Sequence, residues 1–243
     1  MNGTTEDLWL VYHVPKTGGQ TLRNYLREQL GPEGHVHFGR WEPEDELPDS
    51  SMIARLPQAQ RDQIRASTGH RVTREVATMF PGRQVRELLV LRRPVDRIVS
   101  GYHFRNSRRV RRGADPLSFT EFIEWLGPNS MTKWVARFFG EDREQHALDR
   151  SLYELNRVTV VWPLEDLDDI VEDWLATLGI SGMPPRANRL GHEITPSVAP
   201  TEEELRRVWE ENLEDEVLYR ACVNRKDKSM ANLQMLNDAG TGR

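Results

Sequence analysis

The chain has 243 residues, 37% hydrophobic and 29% charged, which is enough apolar material for a sizeable core without metal or disulfide staples. Its 33 basic and 38 acidic side chains leave a net charge of −5, which argues against a general nucleic-acid coat protein because phosphate binding shows as basic excess, while leaving room for a local basic pocket. The one cysteine, Cys222, excludes an intramolecular disulfide and a four-thiolate zinc site. With no long apolar run and an acidic start at Glu6 and Asp7, the expectation is a cytoplasmic protein with no membrane insertion.

Residues 8–14 read as a first strand, mostly apolar and so buried on both faces. It runs into Pro15-Lys16-Thr17-Gly18-Gly19-Gln20-Thr21 and then a helix with Leu22, Tyr25, Leu26 and Leu30 on one face, stopped by Gly31-Pro32. A short strand through 35–38 follows, with His35 and His37 on one side, then an acidic surface loop over 42–51. Residues 64–68 predict a strand ending at Gly69-His70, and 72–80 a short helix or turn. Residues 87–91 form the second strong strand, leading through Arg92-Arg93-Pro94 into a helix over about 94–104, with proline in its first turn. Residues 105–113 read as a solvated loop or helix end.

Ser118 and Glu121 predict a capping box, and a further helix spans 131–139. Residues 158–162 are a third strand. Leu167, Ile170, Val171, Trp174, Leu175 and Leu178 give the strongest amphipathic helix, closed by Gly179. Residues 186–200 are a long loop. Thr201 and Glu204 cap a helix carrying Leu205, Val208, Trp209, Leu213, Val217 and Leu218. Residues 226–243 are expected to be a polar, loose tail. Alternating strands and helices predict one three-layer α/β domain over 1–225 with a mostly parallel sheet.

Two segments carry the chemistry. In the first, Gly18 and Gly19 let backbone amides approach an anion without a Cβ, and the helix start offers unpaired amides and a positive dipole end. Thr17 and Thr21 add hydroxyls, and Lys16, the only lysine before Lys133, adds a mobile charge. The same residues also describe a plain tight turn. The spacing fits neither a nucleotide-triphosphatase loop nor a dinucleotide fingerprint. In the second, 83–112 hold ten arginines against two acids. Arg92 directly follows a strand, where open α/β sheets place ligands, and Ser100 lies eight positions on. The two suit one phosphate, with Arg92 supplying paired donors. Arg97 either joins them or forms an ordinary ion pair.

His13-Val14-Pro15-Lys16-Thr17-Gly18-Gly19-Gln20-Thr21-Leu22 resembles the 5′-phosphosulfate loop of sulfotransferases that use 3′-phosphoadenosine 5′-phosphosulfate (PAPS). Leu91-Arg92-Arg93-Pro94-Val95-Asp96-Arg97-Ile98-Val99-Ser100-Gly101-Tyr102 resembles their 3′-phosphate motif, and weaker likenesses lie at 161–167 and 218–221. The resemblance implies a P-loop-like sulfotransferase fold. It also implies that Lys16 contacts the phosphosulfate and stabilises the leaving oxygen. Thr17, Gly18, Gly19, Gln20 and Thr21 would form the cradle, and Arg92 and Ser100 would bind the 3′-phosphate. Gln20 and Arg93 depart from the commoner small hydroxyl residue and aspartate of the family.

Sulfuryl transfer to an alcohol benefits from a base near neutrality. In the branch resembling polysaccharide 2-O enzymes a Gly-His pair at this place carries the base, which implies His70; the alternative for His70 is capping or packing. His13, His35, His37, His103 and His192 are expected to be structural, pocket-wall or loop histidines. Trp174 and Trp209 match core-facing periods, Trp41 and Trp125 are candidates for an acceptor cleft, and Trp162 for the adenine region. The implied reaction needs no metal, since lysine, arginines and amides supply the positive field. The expected acceptor is a hydroxyl of a carbohydrate or small natural product, with a carrier-tethered intermediate as a further class. The alternatives are a nucleotide or small-molecule kinase, for which no triphosphate loop or magnesium carboxylate is found, and a non-catalytic adenosine-bisphosphate-binding protein, in which His70 is unnecessary.

Overall fold

The computed structural model describes residues 7–38, 50–140, 146–182 and 199–241. The expected loops at 42–51 and 186–200, with Trp41 and His192, lie almost entirely outside them. In chain order the elements are β1 (Asp7–Tyr12), α1 (Gly19–Gly34), β2 (His35–His37), α2 (Ser50–Arg55), α3 (Gln58–Arg61) and β3 (Ala66–Gly69). A 3₁₀ turn at Arg74–Met79 leads to β4 (Gln84–Leu91), α4 (Pro94–Arg111), α5 (Phe119–Leu126), α6 (Ser130–Phe138), α7 (Ala147–Leu155) and β5 (Val160–Pro163). A second 3₁₀ turn at Leu164–Asp169 precedes α8 (Val171–Thr177), α9 (Glu202–Glu211), α10 (Leu213–Val223) and α11 (Lys226–Thr241). No helix among the described residues is long and apolar enough to cross a membrane.

The five strands form one parallel sheet in the order β2-β3-β1-β4-β5. β1 is central because both of its faces are apolar. Leu8, Leu10 and Tyr12 pack with Met131, Phe138 and Leu218 on one side. Trp9 and Val11 pack with Leu22, Leu26, Trp174 and Leu233 on the other, where the Trp9 and Trp174 rings meet edge to face at 6.0 Å. The sheet is therefore covered on both faces, as a parallel sheet requires, and the α/β expectation holds. A third apolar cluster joins α4, α5 and α9 through Ile98, Tyr102, Phe122 and Val208.

Several local expectations change. Gly31-Pro32 kinks α1 rather than ending it, with Gly31 at φ 67°. α4 runs on to Arg111. Its buried Asn106 accepts from the Leu117 amide and donates to the Leu117 carbonyl, at 2.8 and 2.9 Å, and Arg105 stacks on Trp125 at 3.5 Å. Both predicted capping boxes are present, at Ser118 and Thr201. The single helix expected after Thr201 breaks at Asn212, whose side chain bonds the Asn129 amide and the Val208 carbonyl, at 2.9 and 2.7 Å. Such competition for backbone partners disfavours helix interiors. The break leaves Trp209, Leu213 and Val217 about half exposed rather than in the core.

The C-terminal segment is a helix rather than a loose tail. Its apolar stripe is only Met230, Leu233 and Leu236, packed into the α1–α8 side of the core. Its polar residues serve the edge strand: buried Ser229 both accepts from the Val161 amide and donates to the Val161 carbonyl, each at 3.0 Å. Asn232 donates to the Thr159 carbonyl at 2.7 Å. α11 thus satisfies backbone groups that β5 would otherwise present unpaired.

Arg97 is also structural. It is 3% exposed, donates to Ser130, and lies 3.5 Å from the fully buried Asp215. Asp215 in turn accepts from the Met131 and Thr132 amides at 3.0 and 2.7 Å, joining α4, α6 and α10. Replacing one partner of such a pair strands the other charge in the interior. Asp215→Ala is expected to cost about 3–5 kcal/mol, read from urea unfolding midpoints; a loss of ~0.5 kcal/mol, typical of a surface change, would contradict the structural assignment.

Candidate functional site

The turn after β1 is built on unusual backbone. Lys16 and Gly18 both have positive φ, 72° and 79°, which a lysine adopts only at a cost of about 1–3 kcal/mol. The turn closes on itself through Thr17, whose hydroxyl donates to the Val14 carbonyl at 3.0 Å. Thr17 is 1% exposed, and its hydroxyl proton is engaged in holding the loop. The Thr21 amide bonds Gly18 O at 3.0 Å. The amides of Gly18, Gly19 and Gln20 have no protein acceptor among the described residues. Three free donors at the start of α1 are the donor set that a tetrahedral anion needs.

The two glycines are required by neighbours in the fold. A Cβ on Gly18 would lie 2.7 Å from Leu164 Cδ1, and one on Gly19 2.1–2.4 Å from the His13 ring. Leu164 belongs to the 161–167 segment, and the next residue, Glu165, accepts from the Arg93 amide and from the Tyr219 hydroxyl, both at 3.0 Å. That segment therefore touches the first turn through Leu164 and the start of α4 through Glu165. Glu165 was not singled out in the sequence; its only signal was its place in the weaker third likeness.

β1 and β4 are neighbours, with Tyr12 opposite Leu89, so the turns after them lie side by side. Arg92 Nη1 donates to the Lys16 carbonyl at 3.4 Å, and Arg92 has no carboxylate partner among the described residues. Lys16 lies along α4: its Nζ sits 4.2 Å above the Phe104 ring, and its Cγ is 3.9 Å from where a Gly101 Cβ would stand. Half-buried Ser100 immediately precedes Gly101 on that helix. Burial and then the charge of Arg92 lower the Lys16 pKa. The structure thus gathers Lys16, the Gly18–Gln20 amides, Arg92 and the Ser100 turn of α4 at one end of the sheet. Connections from β1 and β4 leave in opposite directions there, the usual ligand position of open α/β sheets.

His70 stands beside this turn. Gly69 precedes it at φ 142°, where a Cβ would lie 2.0 Å from Phe38 O, so the Gly-His pair is dictated by the contact of this strand with the end of β2. His70 Nδ1 is 2.7 Å from the His13 carbonyl. A carbonyl only accepts, so Nδ1 carries the proton and Nε2 keeps its lone pair. Burial, and then Arg23, lower the His70 pKa, although the His13 carbonyl opposes this; the ring is neutral near pH 7.

A second histidine chain backs the first. Arg23 Nη1 lies 3.2 Å from His37 Nε2, and His37 Nδ1 3.1 Å from Thr68 Oγ1, which is also 2.9 Å from His35 Nε2. A guanidinium only donates, so His37 accepts at Nε2 and donates from Nδ1. His35 and His37 do face one side, as expected, but they are tied to Thr68. Trp134 lies 5.7 Å from His70, a neighbour the sequence did not suggest. Trp162 is buried, donates to Asp166 O and lies under Lys226, so it offers no free face to a base. Trp125 is exposed, with Arg105 stacked on one face of its ring.

The histidines make stability pH-dependent with a definite sign. Burial and then nearby cations push His35 to about 4 and His37 to about 3, whereas the unfolded chain titrates near 6.5. As pH falls below that value the unfolded state binds more protons, so stability falls from about pH 6.5 towards 4. In His35→Gln the slope of unfolding free energy over that window should flatten by up to about 1.4 kcal/mol per pH unit, the value of one proton. Urea titrations at several pH values check it; an unchanged slope would show that His35 is not held neutral.

No curated protein matches the chain. A model of the sulfotransferase family matches residues 4–224, a span that contains both turns, His70 and all five strands; the chain belongs to the sulfotransferase family.

Proposed function

We propose that this member of the sulfotransferase family transfers a sulfuryl group from PAPS to a hydroxyl of a carbohydrate or small natural product, including one tethered to a carrier. The observation that carries the reading is the junction of the two anion turns, where Arg92 reaches the Lys16 carbonyl at 3.4 Å. One turn has free amides at a helix start, and the other has an arginine with no carboxylate partner among the described residues, so the pair suits a ligand with two separated phosphate-like groups.

In this reading the Gly18, Gly19 and Gln20 amides and Lys16 bind the 5′-phosphosulfate, while Arg92 and Ser100 bind the 3′-phosphate. Thr17 supports the cradle from behind. Thr21 contributes at the first turn of the helix. His70 Nε2 accepts the acceptor hydroxyl proton as that oxygen forms its bond to sulfur. The bond from sulfur to the bridging oxygen breaks, and its electrons stay on the phosphate of adenosine 3′,5′-bisphosphate. Lys16 and the amides stabilise that developing charge. A kinase reading has no support in the turn's spacing, and a purely binding role leaves the oriented, neutral His70 without a task.

Calorimetry with PAPS and with adenosine 5′-phosphosulfate tests the donor. The 3′-phosphate should strengthen binding by about 1.5 kcal/mol or more, the scale of a charged hydrogen bond, and Arg92→Ala should remove most of the difference. Equal affinities in the native protein would overturn the two-site reading. Lys16→Ala should fold normally, by circular dichroism, and lose about 10²-fold or more in single-turnover sulfate transfer.

The pH–rate profile tests the base. Because the His70 pKa is lowered, the rate should hold as pH falls to about 6.5, the ordinary histidine value, and decline only below it. His70→Ala should lose about 10²–10⁴-fold and the acidic limb with it. A variant that keeps both would remove His70 from the mechanism.

A further inference from the structure

We propose that His13 is a positioning residue that ties the base to the donor cradle, its ring wedged between Gly19 at the start of α1 and the ring of His70. The inference rests on the sulfuryl-transfer reading and adds to it a role for His13, which opens the first motif but has no part in the proposed cradle or the Gly-His pair.

Three separate contacts converge on His13. Its carbonyl holds His70 Nδ1 at 2.7 Å and so selects the tautomer that leaves Nε2 basic. Its ring stacks on the His70 ring with centroids 4.1 Å apart and planes 25° from parallel. Its ring also occupies the space a side chain at position 19 would need, since a Cβ there would lie 2.1 Å from Cδ2, 2.3 Å from Cγ and 2.4 Å from Nε2. One side therefore lies against the helix start with its free amides, and the other against the proposed base. A shift of the cradle must move this ring, and a shift of this ring must move His70.

The wedge suits a neutral ring. The charged and titratable groups facing the histidine pair are Lys16 in the turn, Arg23 on α1 and His37 at the end of β2. Burial first, and then the charges of His70, His37, Arg23 and Lys16, keep His13 well below the usual histidine range. When His70 takes the acceptor proton, the positive ring lies face to face with an uncharged aromatic surface, a contact that favours it. A cation at position 13 would instead oppose that proton at close range. Without the ring, His70 keeps Trp134 as a neighbour but loses its stacked partner and gains water on that side.

The test compares His13→Ala, Gly19→Ala and the double variant with the native protein. Two readouts are used: single-turnover transfer at saturating PAPS across pH, and titration of the His70 imidazole by NMR. His13→Ala should slow transfer about tenfold to 10²-fold, the scale of a misplaced catalytic group, with donor affinity changed by less than about threefold. The His70 titration should rise towards about 6.5 as its burial is relieved. Gly19→Ala should also slow the native protein, but it should add less than about threefold in the His13→Ala background, where the space is vacant, because contacting sites are non-additive. The proposal is overturned if His13→Ala leaves both readouts within about twofold, or if the two losses simply multiply. Should His13→Ala not fold, His13→Phe, which keeps a ring, should leave the His70 titration in place and the rate within about tenfold; a larger loss with an unmoved titration would assign the effect to a His13 nitrogen and overturn the wedge. If the native protein bound no adenosine 3′,5′-bisphosphate, the functional reading would fall, whereas the His70 titration in the free protein would still decide the wedge.

Discussion

Parallel pairing of β1 with β4, in a register that sets Asp7 opposite Gln84 and Tyr12 opposite Leu89, is the constraint on which the site depends. β1 ends opposite Leu89, two residues before the end of β4, so the turns that follow them are neighbours although they lie far apart in sequence. The chain then leaves β1 towards β3 and β2 and leaves β4 towards β5, which opens a space between the connections at the carboxyl ends. Lys16 and Arg92, on which the donor-binding proposal turns, meet at that end of the sheet. A change that shifted β4 by two residues would keep the core pattern, because side chains alternate with period two, but it would carry Arg92 away from Lys16.

The rest of the fold stiffens that junction. Leu164 fills the place a Gly18 side chain would take, and Glu165 receives the Arg93 amide at the beginning of α4. Tyr219 on α10 braces Glu165, and Asp215 on the same helix holds Arg97 and the start of α6. The C-terminal helices thereby brace the segments that carry the two turns. α11 in turn completes the outer edge of β5 through Ser229, whose strand delivers Leu164 and Glu165.

Charge follows a consistent rule around the proposed base. Burial is the largest influence on His13, His35, His37 and His70, and Arg23 adds to it at all four. All four are held neutral, with proton positions dictated where the partner can only accept or only donate. The protein is acidic overall, yet this region disfavours additional positive charge and leaves one ring nitrogen of His70 free to take a proton.

The sequence alone determined what local patterns can encode. The apolar run of β1 required burial on both faces, the Ser118 and Thr201 boxes marked helix starts, and two strand-to-turn motifs in order carried the family likeness. It could also name Lys16, Arg92 and the Gly69-His70 pair, because each sits at a strand end or turn. Tertiary structure decided what depends on partners distant in sequence. Thr17 turned its hydroxyl inward to Val14, Arg97 became one half of a buried pair with Asp215, and Trp209 was left on the surface when Asn212 broke its helix. The stripe of Met230, Leu233 and Leu236 was too narrow to read as a helix until β5 supplied backbone groups for Ser229 and Asn232. The glycines show the division most plainly. Their presence in the turn suggested room for an anion, but the reason neither can carry a side chain lies with Leu164 and the His13 ring, neighbours that only packing brings into contact.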